Sequence, residues 1–96
     1  MARNSSFRFR QYLSGNTPNS VQARANLAAL CRIHLPGRHE IEIVDVSKDP
    51  NRALLDGIYM TPSVVKLAPS PMFTIVGTLS RAESVLEALG LAAIAV

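Results

Sequence analysis

The sequence predicts an α/β fold: one domain with its elements in the order β-α-β-α-β-β-α. Three observations predict it. An alternating run, a turn and a long amphipathic stretch lead into a second alternating run, the pattern of a parallel β-α-β unit. Val64–Leu67 and Phe73–Val76 are short runs rich in β-branched and apolar residues, joined by Ala68-Pro69-Ser70-Pro71, the mark of two neighbouring strands. Finally, 96 residues that are 48% hydrophobic and 18% charged can bury a single core with little to spare.

Each element has its own local reason. Residues 1–5 read as a frayed terminus. From Phe7 to Leu13 the chain alternates, with Phe7, Phe9, Gln11 and Leu13 on one face and Arg8, Arg10 and Tyr12 on the other. Ser14-Gly15-Asn16-Thr17-Pro18 is a turn-rich break in which Thr17 suits an N-cap and Pro18 a first helical position. A helix should run to about His34, with Ala23, Leu27, Leu30, Cys31 and His34 in one stripe, until Pro36-Gly37 stops it. Glu40–Val46 alternates again as a second strand. Asp49-Pro50 starts a short helix, Ala53 and Leu54 inward, that closes at Gly57. Thr61-Pro62 heads the third strand, where proline is tolerated because the ladder has barely begun. After the strand pair, Ser80 and Glu83 have capping-box spacing for a last helix carrying Val85, Leu86 and Leu89 up to Gly90. The apolar end, residues 91–96, is expected to extend that helix, dock on the sheet or meet another chain. This order is the layout of a thioredoxin-like domain, in which Pro62 would face the start of the first helix at the cis-proline position.

Composition narrows the functional classes. No apolar span approaches the ~20 residues of a membrane helix, and the N-terminal residues lack a secretory h-region, so the expected location is the cytoplasm. A lone cysteine, Cys31, excludes an internal disulfide and suits a reducing compartment. The net charge of +3 is unevenly spread: residues 1–39 hold six arginines and no acid, and residues 40–96 four bases and seven acids. Such a basic half can attract nucleic acid or an acidic protein surface, or simply solvate one side. Phe7-Arg8-Phe9-Arg10 interleaves aromatic and basic residues as an RNA-stacking strand would. Both phenylalanines, however, share a face with Leu13 and read as core, which leaves the arginines and Tyr12 outside and disfavours nucleic acid.

Dithiol redox chemistry requires two cysteines, two residues apart, at the start of the first helix, where the helix N-terminus lowers a thiol pKa. This chain has Asn16-Thr17-Pro18-Asn19 there, so both sulfurs are gone. Cys31 falls on the core stripe and reads as structural. His34, His39, Asp45, Asp49 and Asp56 do not cluster at metal-ligand spacing, Asp49 reads as a cap, and five glycines make no phosphate loop. No catalytic constellation and no cofactor is expected.

Residues 12–20, Tyr-Leu-Ser-Gly-Asn-Thr-Pro-Asn-Ser, closely resemble the AGNTPNS segment of the KaiB family of circadian clock proteins. The resemblance continues over roughly residues 6–91. Ile43–Pro50 is similar to that family's second strand and turn, and Thr61-Pro62-Ser63 to its TPT. Lys66 matches a strand lysine, Pro69-Ser70-Pro71 a proline run, and Val76–Ser80 its IGDLS. Departures accompany these matches. Gln22, Glu42, Gly57 and Phe73 stand where the family usually offers lysine or arginine, and Thr78 stands for an aspartate.

The resemblance implies a single KaiB-type domain over 1–96 that is no enzyme and needs no cofactor. It implies binding to a KaiC-like ATPase and regulation of its phosphorylation cycle, with a KaiA-like protein and a sensor histidine kinase as further partners. It also implies fold switching between a monomeric thioredoxin-like form and a tetrameric ground-state fold with a rearranged C-terminal half. Local signals favour the first, because Phe73–Val76 is poor helix material. Asn16, Thr17, Asn19, Arg24 and Lys66 are the partner-binding candidates, and Thr61, Pro62, Pro69, Pro71 and Gly77 the fold-switch or cis-proline candidates. The alternative is a divergent paralogue that binds partners in stress or two-component signalling without a clock role.

Overall fold

The computed structural model describes residues 6–91; the expectations for residues 1–5 and for the apolar end beyond Leu91 lie outside them. The elements are β1 (Phe7–Leu13), α1 (Pro18–His34), β2 (His39–Asp45), α2 (Pro50–Leu55), β3 (Ser63–Ala68), β4 (Phe73–Val76) and α3 (Ala82–Ala88). The four strands form one sheet in the order β2-β1-β3-β4. β1 and β2 run parallel in unbroken register from Phe7↔His39 to Leu13↔Asp45, and α1 makes the crossover between them. β3 lies antiparallel to β1, with a register shift between Arg8 and Phe9, and β4 antiparallel to β3.

Period-2 alternation sends the side chains of β1 to two separate cores. On one face Phe7 and Phe9 pack with Leu27, Leu30, Cys31 and Leu35 around α1, with Val64, and with Leu79, Val85 and Leu89 at α3. On the other face Tyr12 packs with Val44, Ala53 and Ile58 beneath the six-residue α2. Tyr12 is therefore buried rather than outside with the arginines, because α2 folds back over that end of the sheet. Removing Leu27, almost fully enclosed on α1, should cost about 2–5 kcal/mol as Leu27→Ala.

Local signals set the ends of these elements only in part. Thr17 and Asp49 occupy the N-cap positions, yet neither side chain caps its helix; the proline that follows each already removes one donor. His34, expected on the core stripe of α1, is exposed, and the next residue, Leu35, fills the core as the helix ends. Leu54, expected inward, is likewise exposed, since a short helix over a small core buries only Ala53. The Ser80–Glu83 capping box does not form. Leu79 adopts φ 64 with its side chain in the core, and α3 starts only at Ala82, behind an Arg81 N-cap. Ser80 Oγ instead accepts from Thr78 Oγ1 at 3.2 Å.

Gln11 is the polar member of the inner β1 face. Its Nε2 donates to the Ala23 carbonyl of α1 at 2.9 Å, while its buried Oε1 has no partner. A buried acceptor without a donor carries an uncompensated desolvation penalty. Gln11→Leu keeps the side-chain size and removes that penalty. It should raise unfolding stability by about 1 kcal/mol in urea titration, with an unchanged m-value.

Candidate functional site

The carboxyl end of β1 is where the loops converge. β1 ends at Leu13, Gly15 turns the chain at φ 53, and the Thr17 amide donates to Ser14 O at 3.2 Å. Ser20, buried in the first turn of α1, accepts from the Ser14 amide at 2.9 Å. The Ser14 and Thr61 hydroxyls are 2.7 Å apart, which ties the β1–α1 turn to the start of β3. Asp45, at the end of β2, takes three donors on one oxygen: the amides of Gly15 and Ser47 at 3.0 Å and the Ser47 hydroxyl at 2.6 Å. Those bonds, the Ser47 hydroxyl foremost, hold its carboxyl below the usual carboxylate range.

Seven of the ten residues singled out from the sequence gather at this end. Asn16, Thr17 and Asn19 are exposed on the turn and the first turn of α1. Asn16 and Arg24 line one open groove of ≈ 470 Å³ with Gly15, Ser20 and Val21. Thr61 and the buried Pro62 lie across the Ser14 bond, and the Gly77 amide (φ 117) donates to Pro62 O at 2.8 Å. The remaining three lie at the opposite end. Pro69 and Pro71 are in the β3–β4 connection, and the Thr61–Pro62, Ala68–Pro69 and Ser70–Pro71 bonds are all cis. Lys66 pairs with Phe9 across β1, three residues of strand away from Ser63. It is only 5% exposed, and its ammonium lies 5.8 Å from the Phe7 ring centre and 4.8 Å from that of Phe73.

Sequence reasoning missed a second constellation, on the α2 face. Tyr12 Oη donates to Asp56 Oδ2 at 2.5 Å. Arg10 Nε meets Glu42 at 2.7 Å, and Arg52 bridges Glu42 and Asp56 at 3.2 Å each. The signal was present: in a parallel β-α-β unit, Arg8 and Arg10 fall opposite Glu40 and Glu42. Burial above all, and then the neighbouring Asp56 carboxylate, push the Tyr12 phenol up, while the Tyr12 hydroxyl is the main cause holding Asp56 down. The cations thus divide. Arg8 and Arg10 on β1 and Arg52 on α2 are paired with acids, whereas Arg24, Arg32 and Arg38 make no ion pair among the described residues.

The Ser14, Ser47 and Thr61 hydroxyls at this end are engaged in hydrogen bonds, and Cys31 lies away from it in the α1 core. Burial pushes the Cys31 thiol up to about 11, so it stays protonated and inert at neutral pH. Among the described residues no group of His, Cys, Asp or Glu could hold a metal ion, and no helix is long and apolar enough to cross a membrane.

Comparison with known proteins places this geometry in context. A family profile described as the KaiB domain matches residues 10–91. The circadian clock protein KaiB3 of a Synechocystis strain is 39% identical over 80 residues, covering 83% of this chain and 78% of that protein. The circadian clock oscillator protein KaiB of Synechococcus elongatus is 40% identical over the same shares, and that of a Prochlorococcus marinus strain 36% over 91 residues, covering 95% and 87%. Among solved structures, chloroplastic thioredoxin z superposes with a TM-score of 0.75 at 16% identity, covering 95% of this chain and 81% of that one. The N-terminal domain of Synechococcus elongatus SasA gives 0.73 at 13%, covering 100% and 90%. The fold is thioredoxin-like.

Acid should weaken the fold through the carboxylates. Asp45, Asp56 and Glu42 all have depressed values in the native state, so their contribution is complete above the ordinary carboxylate range and disappears as pH falls through the lowered values. Urea midpoints should therefore be level near neutrality and decline below about pH 4. Tyr12→Phe removes the main cause of the Asp56 shift and should make that decline shallower.

Proposed function

The chain belongs to the KaiB family, and we propose that it is a non-catalytic, clock-type binding protein that docks a KaiC-like ATPase and regulates its phosphorylation cycle. The observation that carries this reading is a family relationship spanning residues 10–91 on a thioredoxin-like frame that has Asn16 and Asn19 where redox enzymes of that shape need thiols. A frame of this kind acts by presenting surface. The surface we assign is the loop end built by Asn16, Thr17 and Asn19, with Arg24 at the groove and Thr61-Pro62 alongside. Arg24 supports an acidic partner because no carboxylate of the described chain neutralises it. Lys66, enclosed between Phe7 and Phe73, serves this surface as a strut for β3 and β4 rather than as a direct contact.

The remaining parts of the reading follow from the family. A KaiA-like protein and a sensor histidine kinase are the further partners. The thioredoxin-like form would exchange with a ground-state fold, rearranged after α2 and tetrameric, so that the population of the competent form limits affinity. The protein would work in the cytoplasm as one domain over 1–96.

A second reading, a family paralogue in stress or two-component signalling without a clock, also has an observation behind it. Two positions where the family is usually basic serve internal structure here: Glu42 pairs with Arg10 and Arg52, and Phe73 receives the Lys66 ammonium. Such residues are not free to offer positive charge to an ATPase.

Binding to a purified KaiC-type ATPase, measured by fluorescence anisotropy with and without ATP, separates the two. The clock reading expects saturable, nucleotide-dependent binding, weakened roughly tenfold or more by Arg24→Glu, as loss of an interfacial charge pair would do. Absence of binding in every nucleotide state would overturn it in favour of the paralogue. For the exchange, amide NMR spectra should show a second, slowly interconverting set of peaks confined to residues after α2; one set at every concentration removes the fold-switching claim.

A further inference from the structure

Residues 78–91 hang from the domain by few polar contacts. The ladder of β4 ends at Val76, opposite Ser63 of β3. Gly77 follows at φ 117, a conformation that glycine alone adopts readily, and its amide donates to the Pro62 carbonyl at 2.8 Å. Beyond that point a single hydrogen bond reaches the rest of the described chain: Asn26 Nδ2 of α1 donates to the Thr78 carbonyl at 2.8 Å. The other bonds of the segment are internal, from Thr78 to Ser80 and within the turns of α3. Arg81, Glu83 and Glu87 make no ion pair among the described residues.

What holds the segment down is apolar. Leu79, Val85 and Leu89 complete the α1 core, with Leu86 and Leu91 at its margin. Local conformation works against this docking. Leu79 is the one non-glycine residue of the described chain at positive φ, 64, a region that crowds a leucine side chain against its own backbone. α3 has seven residues and no side-chain cap, too short to stay helical in water unless it is docked. A cleft of ≈ 230 Å³ also lies open between the segment and β4, with Ile75 and Val76 on one side and Leu79, Ser80, Arg81 and Ser84 on the other. The docked position therefore depends on three buried side chains and on the Asn26 bond, which fixes the carbonyl immediately before Leu79.

We infer that residues 78–91 form a strap that opens from the folded domain as one unit, with the Asn26 amide as its clasp and Gly77 as its hinge. Opening lets Leu79 leave the left-handed region and breaks no ion pair and no sheet hydrogen bond. It melts α3, because that helix exists only against the core. The sheet and the Ser14–Thr61 bond stay intact in the open state, since neither involves the strap. The device controls one thing, whether the α3 side of the α1 core is covered. It acts within the thioredoxin-like form and needs neither an ATPase nor a second fold.

Native-state hydrogen exchange of the whole chain, followed by NMR in low urea, tests this separately from the binding assay. The Val85, Leu89 and Gly90 amides are bonded to carbonyls within the segment. They should exchange roughly a hundredfold faster than the central β1 amides once intrinsic rates are removed, and with weaker urea dependence, as a local opening exposes little surface. Asn26→Ala should speed α3 exchange roughly fivefold, the worth of one hydrogen bond. Ser14→Ala is the control, because the bond it removes survives in the open state: it should speed β1 exchange through global unfolding and leave α3 exchange unchanged. If α3 and β1 amides of the unmodified protein exchange together, with the same urea dependence, the inference fails. It fails equally if α3 rates are indifferent to Asn26→Ala, or rise as much with Ser14→Ala.

Discussion

Two-sided burial of β1 is the constraint on which the rest of this structure depends. The strand is hydrogen-bonded on both edges, to β2 and β3, and its side chains enter two cores. Because the side-chain period is two, a slip of one residue would move Phe7 and Phe9 under α2 and Tyr12 under α1. The α2 core, made by only four buried residues, has no room for both phenylalanines, and Tyr12 would lose the Asp56 carboxylate that accepts from its hydroxyl. The alternation of a seven-residue strand thereby sets the registers of β2 and β3, and with them the positions of both loops that meet at Ser14 and Thr61.

What the sequence could reveal follows from how local each signal is. Strand alternation and the Thr17-Pro18 and Asp49-Pro50 helix starts depend on neighbours in the chain, and the element order is legible from them. The placement of the β1–α1 turn beside Thr61 is legible too, because a right-handed β-α-β crossover and a following hairpin leave few alternatives. Tyr12, Leu54 and Ser80 misled because their surroundings are set from afar. Tyr12 is buried by a helix forty residues on; Leu54 is exposed because that helix is short. Ser80 does not cap because Leu79 is drawn into the core at φ 64. The Lys66 enclosure requires knowing that Phe7 and Phe73 flank β3 from opposite sides, which is tertiary information.

The charge distribution acquires a structural meaning once the sheet is known. The excess of arginine in the first 39 residues looks uniform in the sequence, but the fold divides it. Arg8 and Arg10 face acids of β2 across a parallel ladder, and with partly exposed partners they contribute more to register than to stability. Arg24, Arg32 and Arg38 lie on or just after the crossover helix, where no acid faces them. Three of the arginines that make no ion pair among the described residues thus lie on or just after α1, and one of them, Arg24, lines the groove with Asn16.

Unequal cover of the two faces ties these features to binding. One face supports two helices and a core of ten buried residues, and the other a single six-residue helix over four. A short helix cannot shade a four-stranded sheet: Val65 of β3 reaches the edge of the α2 core, but among the described residues Met72, Thr74 and Val76 stay at the surface. In a redox enzyme, chemistry at the loop end can be decisive whatever the state of that surface. Here Asn16 and Asn19 stand where the thiols of such an enzyme would be, and the uncharged β4 edge and the exposed Met72 and Val76 are features of the surface rather than of the loop end. The polar loop end and the uncharged β4 edge thus differ in chemistry and lie on different elements of one small domain.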